Sequence, residues 1–232
     1  MKNFLRKLYI WQNVYLKNNY LFTKKKSFSA FGEDIEIKKH FKINFKGFYV
    51  DVGCYHPIKA NNTLLLHHKG WSGINIDINK LSIELFNFCR PKDINLNLAI
   101  SKKKIEIIHY QKELSLLNSI KRTQARMAFQ GEILTKKIKS KSLNEVLNQS
   151  KFRNKKIDFL DVDVEGADFE VLTSLNFKKY DPKLILVEIM PENLDVNKMN
   201  IKNSNIYKFL IKKNYQLIWS NKFSVLFKKL IP

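Results

Sequence analysis

Apolar runs of strand length alternate along this chain with segments of helical spacing, and nearly every run stops at an acid. The clearest runs are GFYVDVG (47–53), GINIDIN (73–79), KIDFLDVDVEG (156–166) and KLILVEIM (183–190). Strands this apolar are buried on both faces, which requires helices above and below the sheet. The segments 61–69, 81–89, 142–148, 168–175 and 203–213 supply those helices. Gly70 ends the first of them, and Ser140 or Ser142 caps the helix at 142–148. The run 93–101 alternates as a further strand, and 104–110 reads as a shorter one. Such alternation folds as an open α/β sheet, mostly parallel, with helices on both faces. Residues 215–230 break the pattern, with two strands joined by a tight turn at Asn221-Lys222, an antiparallel hairpin. Segment 111–137 is polar, basic and without period, and reads as an insertion or lid.

At 232 residues one core suffices. The chain divides into a basic N-terminal extension, 1–26, and one domain, 27–232. The net charge of +21 favours polyanions such as nucleic acid, anionic lipid or a phosphorylated glycan. Abundant Lys beside Asn and Ile supports the plainer alternative of solvated surface lysines, which is preferred. Two cysteines, Cys54 and Cys89, without metal-ligand spacing fit a reducing cytoplasm. No apolar run is long enough to span a bilayer. In the extension, Phe4, Leu5, Leu8, Trp11 and Tyr15 share one helical face, with Lys2, Arg6, Lys7 and Lys17 nearby. That helix either rests on the inner membrane face as a peripheral contact or packs on the domain. Packing, or a frayed tail, is preferred to the membrane contact.

In open α/β sheets, ligands bind beyond the carboxyl ends of the strands. Here those ends carry Asp51, Gly53, Asp77, Asp93, Asp163 to Gly166, and Glu188. The spacing from Gly53 to Asp77 suits a strand–helix–strand unit whose second acid accepts from ribose hydroxyls. A dinucleotide site needs a glycine-rich loop for its pyrophosphate, but Gly53 is followed by Cys54-Tyr55-His56-Pro57, bulky and short of one N–H donor. A cofactor with a ribose and no phosphate fits better. S-adenosyl-L-methionine is one, and its sulfonium and ammonium suit an acid-rich pocket.

A mostly parallel sheet finishing in an antiparallel hairpin is the pattern of class I methyltransferases, a Rossmann-like fold. The ordered blocks FSAFGED (28–34), GFYVDVGCYHP (47–57), NNT (61–63), GWSGINID (70–77), RPKDINLNLAIS (90–101), IDFLDVDVEGADFEVL (157–172) and LILVE (184–188) resemble the FkbM family of S-adenosyl-L-methionine-dependent methyltransferases. The resemblance implies methyl transfer, commonly to a hydroxyl oxygen of a sugar or other natural product. It implies that Asp51 and Gly53 form the first cofactor motif, that Asp77 binds the ribose, and that Asp93 borders the adenine. Asn62, Thr63 and Asp163 join the cofactor contacts, and Glu33 and Asp34 close over its tail. The sequence departs from the family at Ala30, where a glutamine usually stands, and at Ala167, where a histidine is common.

A hydroxyl acceptor needs a base. Asp163 is the first candidate, then Glu165 and His56. Asp161, Asp163 and Glu165 alternate and permit a divalent-ion site of oxygen ligands, but no metal is expected. Glu188 is placed to touch the acceptor. Arg122 and Arg126 either hold an anionic acceptor or belong to a solvated face. The expected partner is a small-molecule or glycan acceptor. A nucleic-acid methyltransferase is disfavoured because the base-methylating motifs are absent from the sequence. A binding module without turnover is the third alternative, and the acids Asp51, Asp77 and Asp163 speak against it. Oligomeric state has no signature.

Overall fold

The structure, a computed structural model, describes residues 2–16, 25–111, 115–116, 118–119, 126, 132–189 and 201–230. Among these, eleven strands form two sheets: β1 (Phe48–Val52), β2 (Ser72–Asp77), β3 (Ile94–Asn97), β4 (Ala99–Ile100), β5 (Glu106–Gln111), β6 (Asn118–Ser119), β7 (Leu134–Lys141), β8 (Phe159–Val162), β9 (Leu184–Glu188), β10 (Tyr215–Ser220) and β11 (Ser224–Lys229). The main sheet runs β10-β11-β9-β8-β1-β2-β3. Its pairings from β3 to β9 are parallel, and β11 lies antiparallel between β9 and β10. This is the open class I sheet with its terminal hairpin that the sequence pattern leads one to expect.

Side chains alternate across the sheet, as strand geometry dictates. Phe48, Val50 and Val52 face a core shared with the helices Leu143–Gln149, Asp168–Thr173 and Asn205–Lys212. Tyr49 faces the opposite side, with Phe159, Leu186, Leu66 and Trp71. Asp51 and Asp161 share that second parity and are direct neighbours in the β1–β8 register. The sheet therefore sets two buried carboxylates side by side, a placement that needs compensation.

Part of that compensation is Arg90, whose side chain is among the largest fully buried ones. Its guanidinium donates to the Tyr49 hydroxyl (3.0 Å), Thr63 Oγ1 (2.8 Å), the Pro57 carbonyl (2.8 Å) and Asn61 Oδ1 (2.8 Å). It also sits 4.9 Å from the Phe86 ring centroid. Thr63 passes the contact on, donating to Asp51 at 2.9 Å, and Tyr49 donates to Asp93 at 2.5 Å. One cation thus ties β1, the loop after it and the start of β3 together.

Several expectations change in detail. The run 93–101 is two strands, because Leu98 leaves the main sheet and β4 joins a second sheet of order β4-β7-β5-β6. β7 falls partly in the segment read as a lid. Its inward residues Ile138 and Ser140 are flanked by lysines, so it carries almost no apolar signal. Ser142 is the helix cap, accepting from Glu145 N, while Ser140 bonds the backbone of Ile105. The rest of the proposed lid falls largely outside the described residues. The N-terminal helix Lys2–Tyr15 docks on the domain, with Ile10 and Val14 against Ile58, Leu64, Leu81 and Leu85, and Arg6 paired to Glu84 at 2.7 Å.

Removing Arg90 leaves buried acids uncompensated. Arg90→Ala is expected to cost about 3–5 kcal/mol of stability in urea unfolding. A loss under about 1 kcal/mol, typical of exposed pairs, would contradict its place as a hub.

Candidate active site

A cavity of about 410 Å³ opens at the carboxyl ends of β1, β2 and β8, a usual size for a small-molecule site. Six acids dominate its polar wall, Asp51, Asp77, Asp161, Asp163, Glu165 and Glu170, beside Lys59, Asn61 and Asn62. The second sheet contributes Ala99 and Ile100 of β4 and Ile107 of β5, and Leu98 stands between β3 and β4.

The loop after β1 is shaped by close approach. Gly53 has φ +86°, and a Cβ there would overlap the Asp163 carbonyl oxygen. Only glycine meets both demands. Tyr55 (φ 55°), Ala60 (φ 47°) and Glu165 (φ 56°) also hold the left-handed region without being glycine, and all three line the cavity. Such strain of about 1–3 kcal/mol each gathers at functional sites. Asp77 anchors the loop, accepting from Tyr55 N at 2.9 Å and Asn79 N at 2.7 Å.

Asp161 accepts from Asn62 at 3.0 Å through one oxygen, while its other oxygen is buried with no hydrogen-bond partner. Burial and then the neighbouring Asp51 push its carboxyl well above the usual range. Asp51 rises to about 6 by burial, held down in part by Arg90. Asp77 is raised by burial. Asp163 is raised to about 7, first by the enclosing walls and then by Glu165, Asp168, Asp51 and Asp77. Its side chain opens onto the cavity. Glu188, half-buried at the end of β9, is raised to about 8 by burial and by Asp163, Glu165 and Asp168.

The Methyltransferase FkbM domain model matches residues 51–217. The chain belongs to the FkbM methyltransferase family. No curated protein matches it. A TehB-like SAM-dependent methyltransferase from Corynebacterium glutamicum ATCC 13032 Kitasato is similar in structure, at 9% identity and TM-score 0.43, over 99% of this chain and 97% of that one. Monomeric WbdD is similar at 12% identity and TM-score 0.41, over 85% of this chain and 39% of that one. Membership rests on the family match, not on these distant likenesses.

The FkbM family implies S-adenosyl-L-methionine as methyl donor, and the cavity's residues fit it. The orphaned Asp161 oxygen and the crowded acids suit a sulfonium and an ammonium. Asp77 keeps lone pairs for ribose hydroxyls, and Gly53 lets a ligand approach the backbone. Of the residues expected from the sequence, the cavity brings together Asp51, Gly53, Asn62, Asp77, Asp163 and Glu165. Thr63 lies just behind, on Asp51.

Others are placed elsewhere. Asp93 precedes β3, at the opposite end of the sheet from Asp77, where it accepts from Gly73 N and Tyr49. It does not line the cavity, and Leu98, Ala99 and Ile100 stand there instead. His56 is buried with Nδ1 accepting from Ile58 N and Lys59 N, and the Asn13 backbone bonds it as well. Its pKa falls to about 4, chiefly through burial. Its ring bonds the loop and the N-terminal helix and does not line the cavity. Asp34 is taken up by Ser27, Ser29 and Phe28 N, and Glu33 by Asn221 and Ser224. They lock the entry segment to the hairpin and do not line the cavity. Arg126 is exposed, and Arg122 lies outside the described residues. Among the described residues no group of three or more His, Cys, Asp or Glu is arranged to hold a metal ion.

The raised acids carry a sign. Asp51, Asp163, Asp168 and Glu188 bind protons more tightly folded than unfolded. Their stabilisation is complete below their unfolded values and fades as pH climbs through about 6 to 8. Urea unfolding without added cofactor should therefore show lower stability at about pH 8.5 than at about pH 5.5. Asp163→Asn should flatten that slope. A slope of the opposite sign, unchanged in the variant, would refute the crowding of charge.

Proposed function

We propose that this FkbM protein is an S-adenosyl-L-methionine-dependent O-methyltransferase acting on a hydroxyl of a sugar, glycan or other small natural product. The observation that carries this reading is Asp163, a cavity-facing carboxylate with its pKa raised to about 7. A base near the working pH combines a useful ionised fraction with enough proton affinity for a hydroxyl.

When bound, S-adenosyl-L-methionine supplies an electrophilic methyl group on a sulfonium sulfur. Asp77 would hold the ribose, and Asp51 and Asp161 would face the positive end of the cofactor. Asp163 takes the proton of the acceptor hydroxyl. Glu165 and Glu188 stand within electrostatic reach of Asp163 and are assigned to neighbouring acceptor hydroxyls. Glu188, raised to about 8, donates as well as accepts near neutral pH, and Glu165, its pKa raised by burial, adds a second carboxyl, which suits a polyhydroxylated ligand. Arg126, with Arg122, is assigned to any anionic group that the acceptor bears. Much of the remaining acceleration comes from holding nucleophile and methyl in line, which the strained loops at Tyr55 and Glu165 favour.

Two measurements test this. Calorimetric titration with S-adenosyl-L-homocysteine should give binding that weakens at least about tenfold in Asp77→Ala, the worth of a hydrogen bond to a charged group. Transfer of labelled methyl to a panel of glycans and lipid-linked sugars should yield a methyl ether. In Asp163→Asn, kcat should fall by about 10²–10⁴ with cofactor binding retained. Label recovered on nitrogen, or full activity in Asp163→Asn, would overturn the assignment.

A further inference from the structure

The helix Lys2–Tyr15 is apolar on two sides. Ile10 and Val14 bury one side on the domain. The other side presents Phe4 (71% exposed), Leu5 (57%), Leu8 (51%) and Trp11 (41%) to solvent. Phe4, Leu8 and Trp11 are spaced i, i+4, i+7 and form one stripe. The stripe continues through Tyr15, whose ring lies 5.7 Å from Trp11, to Phe88 at 6.1 Å, itself 46% exposed. Scattered exposed apolar residues need no explanation, but a continuous run of this size marks an interaction surface.

Charge selects the occupant. Residues 1–32 contain seven basic residues and no acid. Lys7, Lys25 and Lys26 are exposed. Arg6 alone of the helix's described basic side chains has a carboxylate partner, Glu84. A second copy of this face would bring like charge against like charge. An anionic bilayer satisfies both features, taking aromatic and leucine side chains into the headgroup boundary and lysines against its phosphates. No described helix is long and apolar enough to cross a membrane, so the contact is peripheral.

We propose that the outward face of the Lys2–Tyr15 helix docks this protein on an anionic lipid surface. The helix rests on Ile58, which belongs to the same loop as the cavity-lining Tyr55, Lys59 and Ala60. Docking therefore brings the bilayer to the side of the molecule where the cavity's first loop lies. The inference stands independently of the methyl acceptor.

The test is co-flotation of the full chain with phosphatidylcholine vesicles, with and without about 30% phosphatidylserine. Capture is expected on the anionic vesicles only, weakening as salt is raised. The double variant Leu8→Glu/Trp11→Glu leaves Ile10 and Val14 in place and should lose at least about tenfold in vesicle affinity. Circular dichroism checks its fold. Should that variant misfold, brominated-lipid quenching compared between the wild type and Trp11→Phe reports insertion directly, and quenching confined to Trp11 is expected. No capture, or equal capture in a folded double variant, overturns the proposal. So does a dimer that the variant dissociates without any vesicle binding, or a stripe protected from labelling by residues 17–24.

Discussion

A buried guanidinium holds the working end of this protein in place. Arg90 has four hydrogen-bond acceptors, and each belongs to a piece that frames the cavity or supports it. Pro57 and Asn61 fix the loop after β1. Thr63 carries the contact to Asp51, and Tyr49 carries it to Asp93. A charge this deep is stable only with its hydrogen bonds made. The loop conformation, including the left-handed Tyr55 and Ala60, is therefore fixed together with the charge.

The same sheet creates the problem that the site exploits. Parallel pairing sets Asp51 beside Asp161, and the strand ends add Asp77, Asp163 and Glu165. One arginine cannot balance them all. The acids hold protons above their ordinary range, and one Asp161 oxygen has no partner. A pocket in that condition favours a cation that also offers hydroxyls. The methyl donor implied by the family combines both features with an absence of phosphate, in keeping with a loop that has one glycine and a proline.

Much of this was legible in the sequence. Apolar runs ending in acids located β1, β2, β8 and β9, and the last two strands announced the hairpin. Asp51, Gly53, Asp77 and Asp163 fell in the cavity because a strand's last residues must project from the carboxyl edge of the sheet. What stayed hidden depends on partners distant in sequence. Asp93 looks like a strand-end acid, yet it precedes its strand and serves Tyr49. His56 looks like a base, yet its ring nitrogens serve a turn and the N-terminal helix. Arg90 carries no local signal, since its acceptors come from four other positions. β7 was invisible because six of its eight residues are lysine, serine or threonine around two apolar ones. The N-terminal helix packs through Ile10 and Val14, with Tyr15 at the edge of that contact, and leaves Phe4, Leu5, Leu8 and Trp11 outside it, a division that the helical spacing alone does not show.

The crowded carboxylates at the strand ends hold protons above their ordinary range, and binding of a cation is expected to release them. Calorimetry of S-adenosyl-L-methionine binding at about pH 6.5, in two buffers of different ionisation enthalpy, measures that release directly. Net proton release on binding is expected, larger than for S-adenosyl-L-homocysteine and reduced in Asp161→Asn. Heats that are independent of buffer and unchanged in the variant would contradict it.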